Sequence, residues 1–344
     1  MLQLVRDTTA RVVNSAKHVI IDDSAIQKVC ELLAKDVWGR LSSDDKGDEN
    51  IGQAVSSDGF VESLFVEWDN EKVHFRDLED PDLTAQYILV LSSLNFCFWP
   101  GVKRPDGPEG EEYEYHHLAG ALRDVLLEDK EAFSAASLSN CDEKTLLKWF
   151  KCEIPQAAER ARLVREVGVG LQTHFNGKAS KLITSAGNSV SKLVALVTAF
   201  FPGFRDHTIY DGAQVFLYKR AQIFCADIWG CFKHEGLGKF DDMHKLTMFA
   251  DYRVPQILRH YEVLKYSESL SDSIDNYKVI PPGSAEEVEI RAATIQCVER
   301  MRIVLQNSHR IRCKSVELDW LLWQRGEEQR KEVAPHHRTL TIFY

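Results

Sequence analysis

Apolar residues recur at helical spacing along most of the chain. Behind Asp23-Ser24, a pair able to cap a helix, Ile26, Val29, Leu32, Leu33 and Val37 fall on one face. Asp82-Leu83-Thr84 opens a strongly apolar stretch from Ile88 to Trp99 that Pro100-Gly101 ends, as expected of a buried helix with a hard stop. Leu118, Leu122, Val125 and Leu126 mark another helix, and Asn140 to Phe201 reads as three more in succession. Leu146, Leu147, Trp149 and Phe150 belong to the first. Leu163, Val167, Leu171 and Phe175 line the second, which ends near Gly177, and a stripe from Leu182 to Phe200 makes the third, closed by Pro202-Gly203. A helix from about Asp211 to Trp229 buries Val215, Phe216, Ile223, Phe224 and Ile228. Pro255 biases Val254 away from helical geometry, which places Asp251 and Arg253 in a turn before a helix through Leu258, Tyr261, Glu262 and Lys265. Ser284 and Glu287 form a capping box ahead of Val288, Ala292, Ile295, Val298 and Leu305. One stretch reads differently: Phe65, Val66, Trp68, Val73 and Phe75 flank Asp69-Asn70 and suggest a short β-hairpin between Phe60 and Asp77.

Composition narrows the function classes. With 44% hydrophobic and 27% charged residues and no apolar run near the roughly 20 that span a bilayer, the chain is not expected in a membrane. Met1 to Asp7 lacks the features of a secretory signal, so the expected compartment is the cytosol. Eight scattered cysteines without a C-x-x-C pair argue for reduced, buried thiols rather than disulfides or structural zinc. A net charge of -10 opposes an extended polynucleotide-binding surface but allows a small anionic ligand held by a few local cations. Ser42 to Gly59 is acidic and polar, as in a solvated loop. Gly-rich phosphate loops, H-E-x-x-H and G-x-S-x-G are absent, so neither cofactor nor metal is expected.

Several polar residues sit where an apolar pattern has no need of them. Asn95, within Leu94-Asn95-Phe96-Cys97-Phe98-Trp99, requires partners for a buried amide, from a neighbouring turn or from a ligand. Lys219 lies at the edge of an apolar stripe, where it either snorkels or stands in a pocket. Asp319, inside Ser315-Val316-Glu317-Leu318-Asp319-Trp320-Leu321, is either an N-cap or a buried carboxylate kept ionised by the positive end of a helix. His116-His117 stands at a helix start but makes a poor metal chelate, because adjacent side chains diverge. His336, His337 and Arg338 form a cationic cluster suited to phosphate, or a solvated tail.

Taken together, Leu94-Asn95-Phe96-Cys97-Phe98-Trp99, Tyr218-Lys219-Arg220-Ala221-Gln222, Phe249-Ala250-Asp251-Tyr252-Arg253-Val254-Pro255-Gln256, Glu287-Val288-Glu289-Ile290-Arg291 and His336-His337-Arg338 closely resemble the queuosine salvage family. The resemblance implies hydrolysis of queuosine 5'-phosphate to queuine, with no direct contact to nucleic acid. It further implies a mainly α core akin to helix-hairpin-helix DNA glycosylases, taken here as one composite domain over residues 1–344. By that resemblance Phe249 and Asp251 belong to a base pocket, Asp319 is the catalytic aspartate and Lys219 a required lysine. Arg253 is expected beside the base pocket, and His117 and Ser315 lie in segments that could complete it. The alternative to an enzyme is a noncatalytic carrier of queuine or its nucleotide.

Overall fold

The computed structural model describes residues 1–42, 55–69, 72–99 and 113–344; the Gly/Pro/Glu stretch from Pro105 to Glu112, Pro100-Gly101, Asn70 and most of the acidic segment after Ser42 lie outside the described residues. Helices dominate, and side chains that take up free backbone groups set their ends. α1 (Leu2–Ser15) and β1 (Val19–Ile21) lead to α2 (Asp23–Ser42). Its cap is Asp22, whose Oδ1 accepts the Ser24 and Ala25 N–H groups at 2.8 and 3.0 Å, one residue before the expected pair. The buried face is Ile26, Val29, Cys30, Leu33 and Val37, whereas Leu32 is exposed. α3 (Pro81–Leu94) is capped by Asp80 and is buried from Thr84 to Leu94.

α4 (Tyr115–Glu128), α5 (Ala135–Ser139), α6 (Glu143–Phe150) and α7 (Ala157–His174) follow, the last closed at Gly177 by a bond to the Leu171 carbonyl. The stripe from Leu182 to Phe200 is two helices rather than one, α8 (Ala179–Ser185) and α9 (Val190–Phe200). Positive φ at Gly187 and Asn188 breaks the spiral, and Asp242 opens α9 by accepting the Val190 N–H at 2.7 Å.

β2 (His207–Tyr210) and β3 (Ala213–Phe216) form a hairpin where a helix is expected. Asp211 and Gly212, both at positive φ, make its two-residue turn, so Val215 and Phe216 belong to a strand. α10 (Lys219–Cys231) therefore begins only at Lys219. α11 (Arg253–His260) ends before Glu262, whose positive φ turns the chain into β4 (Leu264–Tyr266); Lys265 is thus in a strand paired antiparallel with β1. α12 (Glu268–Asp275), α13 (Ala285–His309) and α14 (Ser315–Glu328) complete the chain. Ser284 caps α13 by accepting the Glu287 N–H, while Glu287 accepts the Gly283 N–H rather than that of Ser284.

The expected hairpin between Phe60 and Asp77 does not form: residues 62–69 and 72–77 contain no strand. Their apolar side chains serve the helical core instead, with Phe75 buried and Trp68 bonded to Asp227. α13 packs on α1, α2, α11 and α14, and α10 packs on α3 and α9. Among the described residues no helix is long and apolar enough to cross a membrane. All eight cysteines are free thiols.

Candidate active site

The site grows from the early end of α3. The expected helix to Trp99 stops at Leu94, and Asn95 to Trp99 leave it in irregular backbone, with Cys97 at positive φ. Three buried cations satisfy the carbonyls released there. Arg160 donates to Leu94 and Phe96 at 2.6 Å and to Cys97 at 2.9 Å, Arg220 bonds the Ser93 and Gly203 carbonyls, and Lys219 Nζ donates to the Asn95 carbonyl at 3.1 Å. The unwound segment presents Asn95, Phe98 and Trp99 to a cavity of about 780 Å³. That volume suits an aromatic small molecule.

Lys219 reaches this wall because it is the first residue of α10, not a mid-helix position. Tyr218 before it adopts a left-handed conformation, and Asp206 accepts the Lys219 N–H at 3.0 Å. Burial pushes the Lys219 ammonium down to about 8, against the pull of Asp251. Asp251 caps α11: its Oδ1 accepts the Arg253 and Val254 N–H groups, both at 3.0 Å, and no hydrogen bond from the described residues engages Oδ2. Burial raises the Asp251 carboxyl while Lys219 and the two amides oppose the rise.

Asp319 is one turn inside α14, so it is not an N-cap. It is 5% exposed, and its Oδ1 accepts the Phe249 N–H at 2.8 Å. Burial first, then the negative charge of Asp251, holds its carboxyl well above the usual range, outweighing the Phe249 amide and Lys219. Desolvation and a like charge thus oppose the ionised form that the helix start was expected to favour.

The cavity wall also contains Phe249, Arg253, His336 and Arg338. Arg253 is tied to Glu327 at 2.6 Å and to Gln256 at 2.7 Å. His336 stacks on Tyr252, with ring centroids 4.3 Å apart, and burial lowers its pKa to about 4, so it is neutral at physiological pH. Arg338 lies over Tyr277, and its Nε has no hydrogen-bond partner among the described residues. The C-terminal cationic cluster thus reduces to Arg338 at the cavity. His337 is buried against the Tyr344 hydroxyl, outside the wall. His117 and Ser315 also fall outside it: His117 Nδ1 accepts the Glu114 N–H, and Ser315 Oγ donates to Glu299 at 2.6 Å. Their neighbours His116 and Asp319 line the cavity instead.

The reading from sequence missed Asp227, Trp68 and Tyr277, which are in the wall. Asp227 had a signal, being the lone acid of α10 and flanked by apolar residues. Within the fourth motif, Arg291 braces the loop that carries Asp251, while Glu289 ties down the chain between α1 and β1. Arg291 donates to the Ala250 carbonyl and to Asp206, and Glu289 accepts the N–H groups of Lys17, His18 and Val19. Among the described residues no group of three or more His, Cys, Asp or Glu could hold a metal ion.

Fold and cavity define a mainly helical protein whose pocket, of a size for a small molecule, is lined by acids, cations and aromatic rings. The family follows from comparison: the chain belongs to the queuosine salvage proteins, whose family model matches residues 73–344. It is 45% identical to the queuosine 5'-phosphate N-glycosylase/hydrolase of Dictyostelium discoideum, across 100% of this chain and 99% of that one. Identity to the protein of the same name from Sphaerobacter thermophilus is 38%, over 99% and 97% of the two chains. Identity to that from Bos taurus is 29%, over 98% of each.

Proposed function

We propose that this chain hydrolyses the N-glycosidic bond of queuosine 5'-phosphate, giving queuine and ribose 5-phosphate in the cytosol for salvage into tRNA modification. The same reading takes residues 1–344 as one composite domain with a core akin to helix-hairpin-helix DNA glycosylases. The observation that carries the proposal is the convergence of Asp251, Asp319, Lys219 and Phe249 on one cavity in a chain whose full-length relatives bear that activity's name.

Queuine is a 7-deazaguanine and lacks the ring nitrogen through which many purine leaving groups are protonated. The protein must therefore stabilise both halves of the breaking bond. Asp251 Oδ2 accepts the amide and amino N–H groups of the base, its charge maintained by Lys219 and two backbone amides, while Phe249 stacks on the ring. Asp319 stands at the anomeric carbon. Burial and the charge of Asp251 raise its pKa and so favour its protonated form. As the bond breaks, its electron pair leaves with the base, the base takes up a proton in exchange for the one Asp319 releases, and the carboxylate faces the oxocarbenium or bonds to it. Water then completes hydrolysis. Arg338, with an unengaged Nε, is the cation for the phosphate, whose binding energy holds the ribose during the reaction.

The test is chromatographic detection of queuine after mixing the purified chain with queuosine 5'-phosphate, beside Asp319→Asn. Release by the wild type alone supports the assignment. Tight queuine binding without release would make the chain a carrier.

A further inference from the structure

Among the described residues, Asp227 is the acid of the cavity wall with a buried oxygen that lacks any hydrogen-bond partner. It is 4% exposed; Oδ1 accepts the Trp68 indole N–H at 2.8 Å, and Oδ2 accepts nothing. The nearby cation is committed elsewhere, since Lys219 Nζ donates to Asn95. His74, stacked on Trp68 at 4.4 Å, uses Nδ1 on Asp69 at 2.5 Å and Nε2 on the Tyr115 hydroxyl at 2.9 Å. Burial lifts the Asp227 carboxyl only to about 6, so near pH 7.5 it is mostly ionised and waits for a donor. A buried charge with a vacant acceptor is costly unless a ligand completes it.

The next step rests on the function proposed above. Queuine carries at C7 an aminomethyl arm ending in a cyclopentene diol, and the arm's secondary amine is cationic at neutral pH. On the ring, C7 lies across from the amino-bearing edge assigned to Asp251, with one methylene between ring and amine. The inner wall holds three aspartates, Asp227, Asp251 and Asp319, against Lys219. With Asp251 on the base edge and Asp319 at the sugar, Asp227 is left for the cation. A side hollow of about 310 Å³ adjoins the cavity at Trp68 and His74, with Asp69, Tyr115 and Gln324 in its wall, and gives the diol ring room. We propose that Asp227 Oδ2 accepts the charged N–H of this arm and makes the site selective for 7-aminomethyl-deazaguanines over unsubstituted deazaguanine.

The test is calorimetric binding of queuine and of 7-deazaguanine to the wild type, Asp227→Asn and Trp68→Phe, followed by kcat/KM for queuosine 5'-phosphate and 7-deazaguanosine 5'-phosphate. Asparagine can still accept the Trp68 N–H through its carbonyl, but offers an NH2 where the arm needs an acceptor. The expected result is a collapse of the queuine preference by about 10–100-fold, the range for a hydrogen bond to a charged group. Trp68→Phe, which frees Asp227 without removing it, should give a smaller loss of the same sign. Equal weakening of both ligands in Asp227→Asn would reveal a merely structural residue and overturn the proposal. So would an undiminished preference, or a wild type that binds queuine no better than 7-deazaguanine. A wild type that prefers queuine through Asp227 yet releases none from the nucleotide would uphold this subsite while refuting hydrolysis.

Discussion

Replacing Arg291 by alanine tests whether one buried guanidinium supports both the core and the loop that carries the site. Its two terminal nitrogens donate to Asp206 at 3.0 and 2.7 Å, one of them reaches Glu287 at 3.5 Å, and Nε donates to the Ala250 carbonyl at 3.0 Å. Arg291 and Asp206 are 2% exposed and Glu287 is 3%. Truncation strands two carboxylates away from water. Breaking a buried pair costs about 3–5 kcal/mol, and the bond to Ala250 adds about 1 kcal/mol. Protonation limits the sum, because burial already raises the Glu287 carboxyl against the pull of Arg291, and without the arginine it rises further. An acid whose folded pKa exceeds its unfolded one gains stability as pH falls through the folded value. The loss should thus be about 3–5 kcal/mol at pH 8, lowering Tm by roughly 4–7 °C, and should narrow toward pH 5.5. Thermal unfolding followed by circular dichroism at the two pH values measures it. A drop under about 2 °C at pH 8, or one that widens on acidification, would refute the reasoning. Arg291→Lys keeps the charge but loses the fork, so it should recover part of the stability and less of the queuine affinity.

Asp319→Asn should abolish queuine release while leaving queuine affinity within about threefold. Because burial and Asp251 raise the pKa of this acid and so penalise its ionised form, the Tm of Asp319→Asn should be equal to or above that of the wild type, and a clear destabilisation would contradict the pKa direction. The wild-type kcat/KM should fall as pH rises past about 8, where Lys219 loses its charge and ceases to sustain Asp251; Lys219→Arg should move that limb upward, and an unchanged profile would remove Lys219 from the chemistry. Arg338→Ala should raise KM for queuosine 5'-phosphate by about 10–100-fold with little change in kcat, and should spare the unphosphorylated nucleoside. Equal effects on both substrates would place the phosphate elsewhere.

Most helices were legible because their apolar period follows from packing one face, and caps such as Ser284 and stops such as Gly177 act within a few residues of themselves. What the period concealed was local conformation set by the turn or by distant partners. The stripe from Asp211 to Trp229 counts as helical, yet Asp211-Gly212 is a hairpin turn, a signal that was available and outweighed by the apolar count. The end of α3 was not available: Leu94 stops the helix because Arg160 and Arg220, 66 and 127 positions from the carbonyls they take, reward an unwound chain. The site shows the same division. Asp251, Asp319 and Phe249 were reached through motifs; His116 rather than the adjacent His117 is in the wall, since helix phase decides which of two adjacent side chains faces inward, and Ser315, one turn before Asp319, is taken by Glu299. Asp227 stood in the sequence as an unexplained acid; only the fold shows that its second oxygen is alone.

Those long-range cations also explain how so acidic a site is tolerated in the protein interior. Helix C-termini carry roughly half a negative charge, so the end of α3 would add to the repulsion among Asp227, Asp251 and Asp319. Arg160, Arg220 and Lys219 reverse that contribution. Burial lowers the first two only to about 10 and 9, so both stay charged at neutral pH. The end of α3 therefore carries buried cations instead of an uncompensated negative pole, and the same lysine that takes the Asn95 carbonyl steadies Asp251. A carboxylate pair left without this counter-field would take up protons and lose its grip on the base. Truncating Arg220 should then act on the chemistry as well as the fold, raising the Asp251 pKa and shifting the acid limb of queuine binding to higher pH. If that limb stays in place while Tm falls, the arginines serve only the helix end, and Lys219 alone sets the field.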